Sequence, residues 1–257
     1  MRNPANLPLE PFGDVLDYAV HGNLDVKSLC TFCLVGRQWY VTSIPRIYSK
    51  WTYNGEYRSF ISLWKFSRTI LSNFRVAEQV RTLDIRNWGF HPLGHSEVNL
   101  HTDLLQEDLK LIRGAIHNAR IQELESDIMK ALHRADRRPP MALLLTRLPN
   151  LTTICAHVPE SDVVLAEVLK QALKDQDNRP QQQTLQNLKE ASLPSEWHYP
   201  STQDARDLYT LRLDYLWPLF RLPNIRKLSL FDFEPHGVAI LFGDTAGASP
   251  ITHLTLV

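Results

Sequence analysis

The sequence predicts a mainly α protein with short parallel strands, in which a helical N-terminal region precedes an irregular α/β solenoid. Two observations carry that expectation. A short pattern (an apolar residue, two others, an apolar residue, one other, an apolar residue) occurs five times, starting at residues 80, 151, 188, 225 and 251. Between the copies lie stretches whose apolar residues recur at helical spacing. A strand and a helix in regular alternation describe stacked units that bury their apolar faces only against their neighbours.

The copies read Val80-Arg-Thr-Leu83-Asp-Ile85, Leu151-Thr-Thr-Ile154-Cys-Ala156, Leu188-Lys-Glu-Ala191-Ser-Leu193, Ile225-Arg-Lys-Leu228-Ser-Leu230 and Ile251-Thr-His-Leu254-Thr-Leu256. Their starts are 71, 37, 37 and 26 residues apart, and the first gap is wide enough for one degenerate copy. The phrases LTRLPNL (145–151) and LFRLPNI (219–225) introduce two of them. Each is expected to end a helix, turn at its proline and enter a strand. No regular asparagine position is evident within the pattern. The chain stops at ITHLTLV, inside an expected strand and without a covering unit, so a truncated C-terminal end is expected.

The helices follow from spacing. Phe60, Leu63, Trp64, Ser67, Ile70 and Leu71 form one stripe ending near Asn73. Leu105, Leu109, Ile112, Ile116 and Ala119 form another, which continues after a phase shift through Ile121, Leu124, Ile128 and Leu132. A third covers about 161–174. Residues 51–78 are rich in aromatics and read as a helical connector, and 89–101 and 178–183 read as exposed loops.

Lys+Arg and Asp+Glu are equal at 28 each, which argues against a nucleic-acid binder. The cluster Arg134, Arg137, Arg138, diluted by Asp136, reads as a solvated helix end. The opening residues have no signal-peptide core, and no segment reaches the ~20 apolar residues that span a bilayer. Three cysteines, Cys30, Cys33 and Cys155, suit a reducing interior better than a disulfide framework. The chain is therefore expected in the cytoplasm or nucleus, without a membrane.

Nothing nominates a catalytic group, a metal site or a cofactor. Cys30-x-x-Cys33 supplies two of the four ligands a zinc ion needs, His21 is isolated, and Cys155 is distant. The pair falls mid-helix among apolar residues and reads as packing. His91, His95 and His101, with Glu97, read as loop residues. Glu123, Glu125 and Asp127 read as an acidic helix surface.

The N-terminal fifth carries a more specific order. LPLEPFGDVLDYA (7–19) is followed by LDVKSLCTFCLVGRQW (24–39). Leu7, Pro8, Glu10, Val15, Leu16, Leu24, Leu29, Phe32, Leu34, Val35, Arg37 and Trp39, with Pro45 and Tyr48 behind them, resemble the F-box. That resemblance covers residues 5–50 and implies a three-helix module that docks on the Skp-type linker protein, and through it a cullin scaffold. It points to Leu7, Pro8, Val15, Leu16, Leu34, Val35 and Trp39 as linker contacts. With the connector at 51–78 and a leucine-rich-repeat-like region at 79–257, the order resembles a class of fungal F-box proteins. The expectation is a substrate-recognition adaptor of a cullin-type (SCF) ubiquitin ligase that makes no bonds itself. Residues between the apolar slots, Arg81, Asp84, Arg86, Arg226 and Ser229, with Thr252 and Thr255, would face an unknown protein target. The alternative is an interaction scaffold outside any ligase, since Pro11 and Ala19 depart from the F-box pattern.

Overall fold

Alternation puts every second side chain of a strand on one face, so a segment with two apolar slots can bury that face and leave the other wet. A computed structural model describes residues 13–14, 16–18, 26–87, 104–178, 184–195, 211–234 and 249–257. Helices α1 (Val26–Cys33) and α2 (Arg37–Ser49) lead into strand β1 (Lys50–Asn54), then α3 (Phe60–Ser72), α4 (Phe74–Ala77) and β2 (Thr82–Arg86). Next come α5 (Gln106–Ala119), α6 (Glu125–His133), α7 (Arg138–Leu145), β3 (Thr153–Ala156), α8 (Val163–Asn178) and β4 (Glu190–Pro194). The rest comprises β5 (Leu211–Arg212), α9 (Leu213–Leu216), β6 (Lys227–Phe231), β7 (Phe233–Glu234) and β8 (His253–Leu256).

Six strands form one sheet in the order β1-β2-β3-β4-β6-β8, parallel at every seam. Each of the five copies of the pattern yields one of them. In the first four copies all three apolar slots are buried, as with Val80, Leu83 and Ile85 or Ile225, Leu228 and Leu230. In the fifth, Leu254 and Leu256 are about half exposed at the sheet's edge. A separate two-stranded parallel pair joins β5 to β7.

Two expectations about the strands change. β2 pairs directly with β3, so the 71-residue gap holds no intervening strand of this sheet; α5, α6 and α7 occupy it instead. The segment read as a helical connector opens with β1, the first strand. Its residues fit the same pattern with aromatics in the slots: Tyr48-x-x-Trp51-x-Tyr53, with Trp51 opposite Leu83 and Tyr53 opposite Ile85. Tyr53 is fully buried, and Trp51 stacks on Phe66 of α3 with ring centroids 3.9 Å apart. Flat rings fill the space that aliphatic side chains fill elsewhere.

The helices form as their stripes require. α3 buries Phe60, Leu63, Trp64, Ser67, Ile70 and Leu71, is capped by Ser59 at its start and stops at Asn73. The Asn73 side chain then accepts the Val76 N–H and starts α4. The phase shift after α5 comes from Arg120, whose left-handed backbone (φ 56°) ends the helix before a 3-10 turn leads into α6. Leu105, expected on the buried stripe, is instead the exposed residue before α5, and its N–H donates to Asp108 (3.2 Å). α7 is buried from Pro139 to Leu145, apolar on all sides because helices and sheet surround it.

The arginine cluster is not merely a solvated end. Arg138 grips the buried Asp136 through Nε and Nη2 at 3.0 and 2.6 Å, while Arg134 stays exposed. Arg137 reaches Gly55, where an added Cβ would meet the Asn87 carbonyl oxygen and come within 2.8 Å of the Arg137 guanidinium. Backbone crowding of that kind has no flexible end to yield. Gly55→Ala is expected to destabilise the fold by about 2 kcal/mol, in the range of overpacked sites, read as a lower urea midpoint at unchanged slope.

A side-chain ladder runs beside the sheet. The Asn150 amide donates to the Glu78 carbonyl (2.9 Å), Asn187 to Pro149 (2.8 Å) and Asn224 to Gln186 (2.7 Å). Each asparagine sits immediately before the first apolar slot of its unit and reaches the carbonyl two residues before the slot of the preceding unit. The regular asparagine position not evident within the pattern lies just outside it, spaced 37 and 37 residues.

Asp162, immediately before α8, is buried, with one carboxylate oxygen accepting the Val164 and Leu165 N–H groups at 2.9 Å each. Burial pushes this carboxyl up to about 6; nearby Asp136 adds to the rise, and the two N–H bonds and Arg138 oppose it. A carboxyl that holds its proton more tightly folded than unfolded stabilises the fold most below its unfolded value of 3.8. That contribution is lost as pH rises through about 6. The window is worth about 3 kcal/mol. Asp162→Asn keeps an accepting oxygen and has no proton to lose. Urea titrations between pH 4 and 7 are expected to show the flatter stability profile in the variant.

Candidate functional site

Two surfaces stand out. The first is the turn after α1. α1 is amphipathic and buries Leu29 on one side only. Residues 13–14 and 16–18 are also helical, and they bring Leu16 (1% exposed) against Leu29. Phe32, Trp39 and Ile47 close a small core separate from the main one. The Phe32 and Trp39 rings lie 5.0 Å apart, and Arg46 ties the layers together through Asp17 (2.7 Å) and the Gly13 carbonyl (3.0 Å).

With that core filled, the turn faces water. Leu34 is 87% and Val35 63% exposed, and their N–H groups donate to the Thr31 and Phe32 carbonyls (3.0 Å each). Tyr18, Val26, Tyr40 and Val41 are exposed on the same module. A unit this short, with this much apolar surface in water, has the composition of a docking surface.

The expected linker contacts therefore divide. Leu34 and Val35 are presented outward. Leu16 is turned inward instead, packed against Leu29 in the small core. Trp39 is half buried against Phe32, so it supports the module as much as it faces out. Leu7, Pro8 and Val15 lie outside the described residues, as do His21, His91, His95, Glu97 and His101. Cys30 and Cys33 are not the buried filler expected: Cys30 is exposed and Cys33 half buried, because α1 buries only its Leu29 side. Among the described residues, no group of three or more His, Cys, Asp or Glu is placed to hold a metal ion.

The second surface is the face of the sheet opposite the buried slots. Its central row runs Thr52, Asp84, Cys155, Ser192, Ser229 and Thr255 across all six strands. Charge on this face is mixed and largely matched within it. Asp84 lies 3.9 Å from Lys50 and 3.7 Å from Arg86, and Glu190 pairs across the seam with Lys227 at 2.9 Å. Burial, reinforced by Arg86 and opposed by Asp84, pushes the neighbouring His157 imidazole down.

Asp84, Arg86 and Ser229 lie on this face of the sheet. Arg81 and Arg226 have a different use. Arg81 donates to the Asn150 carbonyl (3.2 Å) and Arg226 to that of Pro250 (3.2 Å), equivalent positions in the following units. Thr252 likewise donates to the Arg226 carbonyl (3.1 Å). These side chains stitch unit to unit along the margin of the sheet. Only distances between units separate such a role from an open polar position, and one sequence does not supply them.

No described helix is long and apolar enough to cross a membrane. Compared with known proteins, the chain matches no family model, no curated protein and no solved structure.

Proposed function

We propose that the chain is a substrate-recognition adaptor of a cullin-type ubiquitin ligase. In this reading an F-box at its N-terminus docks on the Skp-type linker protein, and a leucine-rich-repeat-like solenoid holds a target protein. The observation that carries it is the outward Leu34–Val35 turn on a helical module with its own small core. These residues occupy the positions where the ordered F-box resemblance expects linker contacts. Each large aliphatic covered by a partner contributes about 1.5–3 kcal/mol gross. The parallel strands in chain order, bound by the asparagine ladder, support the solenoid reading. The adaptor's contribution to ubiquitin transfer is proximity, a raised local concentration of the target's lysine.

The reading is tested by titrating the purified chain with purified Skp-type linker in a calorimeter. Sub-micromolar association is expected, and no heat or complex from a folded chain refutes it. A second reading, an interaction scaffold outside any ligase, is favoured by the inward Leu16, which leaves fewer side chains for the linker. It predicts that outcome of no association.

A further inference from the structure

Cys30 and Cys33 are used by nothing above, yet they sit against the candidate docking turn. They are three residues apart on α1, and Cys33 is its last residue. Side chains so spaced share a helix face, with Cβ atoms about 5–6 Å apart. A disulfide requires about 3.5–4.5 Å between Cβ atoms. Closing it must therefore tighten the last turn by about 0.5–2.5 Å. A helix interior resists that change; a terminal turn yields more easily. Leu34 and Val35 hang from that turn by their N–H bonds to Thr31 and Phe32.

The environment links the two thiols. Burial pushes the Cys33 thiol up and the neighbouring Cys30 adds to the rise, while the buried Ser43 hydroxyl beside it acts the other way. Burial likewise raises the Tyr48 phenol, followed by Tyr40 and both cysteines. Cys30 is exposed, so a soluble oxidant meets it first.

We propose that Cys30 and Cys33 form a reversible intramolecular disulfide that re-aims the Leu34–Val35 turn, making the end of α1 an oxidative modification site. The consequence for binding rests on the adaptor reading; the disulfide itself does not. With glutathione disulfide as oxidant, the Cys30 thiolate attacks one sulfur, its S–S bond breaks and one glutathione thiolate leaves. Cys33, having released its proton to water, then attacks the Cys30 sulfur and expels the second glutathione. Two protein thiols lose two electrons, and one glutathione disulfide becomes two glutathiones. The pair lies at a helix C-terminus, where the macrodipole does not favour a thiolate. The site is thus suited to sustained oxidation rather than rapid turnover.

The test equilibrates the folded chain in glutathione buffers graded from reducing to oxidising, followed by alkylation and peptide mass mapping. The expected product loses alkylation at Cys30 and Cys33 together, carries no glutathione on them and reverts with dithiothreitol. Hydrogen exchange at the Leu34 and Val35 amides is expected to change several-fold with oxidation. Cys33→Ser is expected to stop at a glutathione adduct on Cys30. Accumulation of that adduct in the natural chain overturns the proposal, as does a disulfide that leaves both amides unchanged. Linker titrations separate the two readings. Equal affinity in both redox states overturns the switch alone. A disulfide with its exchange shift, in a reduced chain that binds no linker, sinks the adaptor reading and leaves the redox site standing.

Discussion

Leu34→Asp is expected to weaken binding to the Skp-type linker by about 100-fold or more, equivalent to about 2.7 kcal/mol, with thermal stability essentially unchanged. The stability half follows from exposure. Leu34 is 87% solvent-accessible in the free chain, and its only described backbone tie, the N–H bond to Thr31, survives any side chain. The binding half follows from what a partner groove would receive. The substitution removes an aliphatic anchor and delivers a carboxylate that must be desolvated, and central interface positions commonly cost 2 kcal/mol or more when truncated. Val35→Asp should act in the same direction with a smaller effect, since less of that side chain is exposed. Trp39→Ala is a poorer probe, because the ring lies against Phe32 and over the Leu16–Leu29 core. Its loss would loosen the module as well as any contact. Calorimetric titration with melting curves on the same samples checks both halves. Undiminished affinity in a folded Leu34→Asp chain would remove this turn from the interface.

The sheet was legible because its signal is local. Two apolar slots separated by one residue demand one buried face, and all five copies became strands. β1 hides in the sequence for a chemical reason: Tyr48, Trp51 and Tyr53 fill the slots with rings, and aromatic richness resembles a connector. The missing strand between β2 and β3 could not be read from spacing. Seventy-one residues accommodate either another strand or extra helices, and the all-round burial of α7 decides for helices only once the packing is known. At the module, periodicity groups Leu29 with Phe32, but which apolar residues face inward depends on how residues 13–14 and 16–18 pack. That left Leu16 and Leu34 alike in sequence and opposite in space. The asparagine ladder is legible, since Asn150, Asn187 and Asn224 each precede an apolar slot, but it stands just outside the pattern.

The ladder sets the second large effect. Asn187→Asp is expected to destabilise the chain by about 2–4 kcal/mol at pH 7. The side chain keeps its shape, but an oxygen replaces the Nδ2 donor that stands 2.8 Å from the Pro149 carbonyl oxygen. One hydrogen bond is lost, worth about 1 kcal/mol net, and two acceptors are left facing each other in a part-buried site, which costs a further 1–3 kcal/mol. The ionised carboxylate adds its own desolvation. The protonated acid can donate, so folding raises this carboxyl's proton affinity. The variant should therefore recover stability as pH falls through the carboxylate range and lose it again on the way up, whereas Asn187→Leu, lacking both donor and charge, should be less damaging and insensitive to pH there. Because Asn187 bridges the seam between β3 and β4, protection should fall first at the Lys189 amide, which donates to Thr152 across that seam (2.8 Å). Urea titrations at pH 4 and 7 with residue-level hydrogen exchange measure all three consequences. A variant within about 0.5 kcal/mol of the natural chain at both pH values, the range of an ordinary surface substitution, would show that the three amide bonds follow the packing of the units rather than hold it.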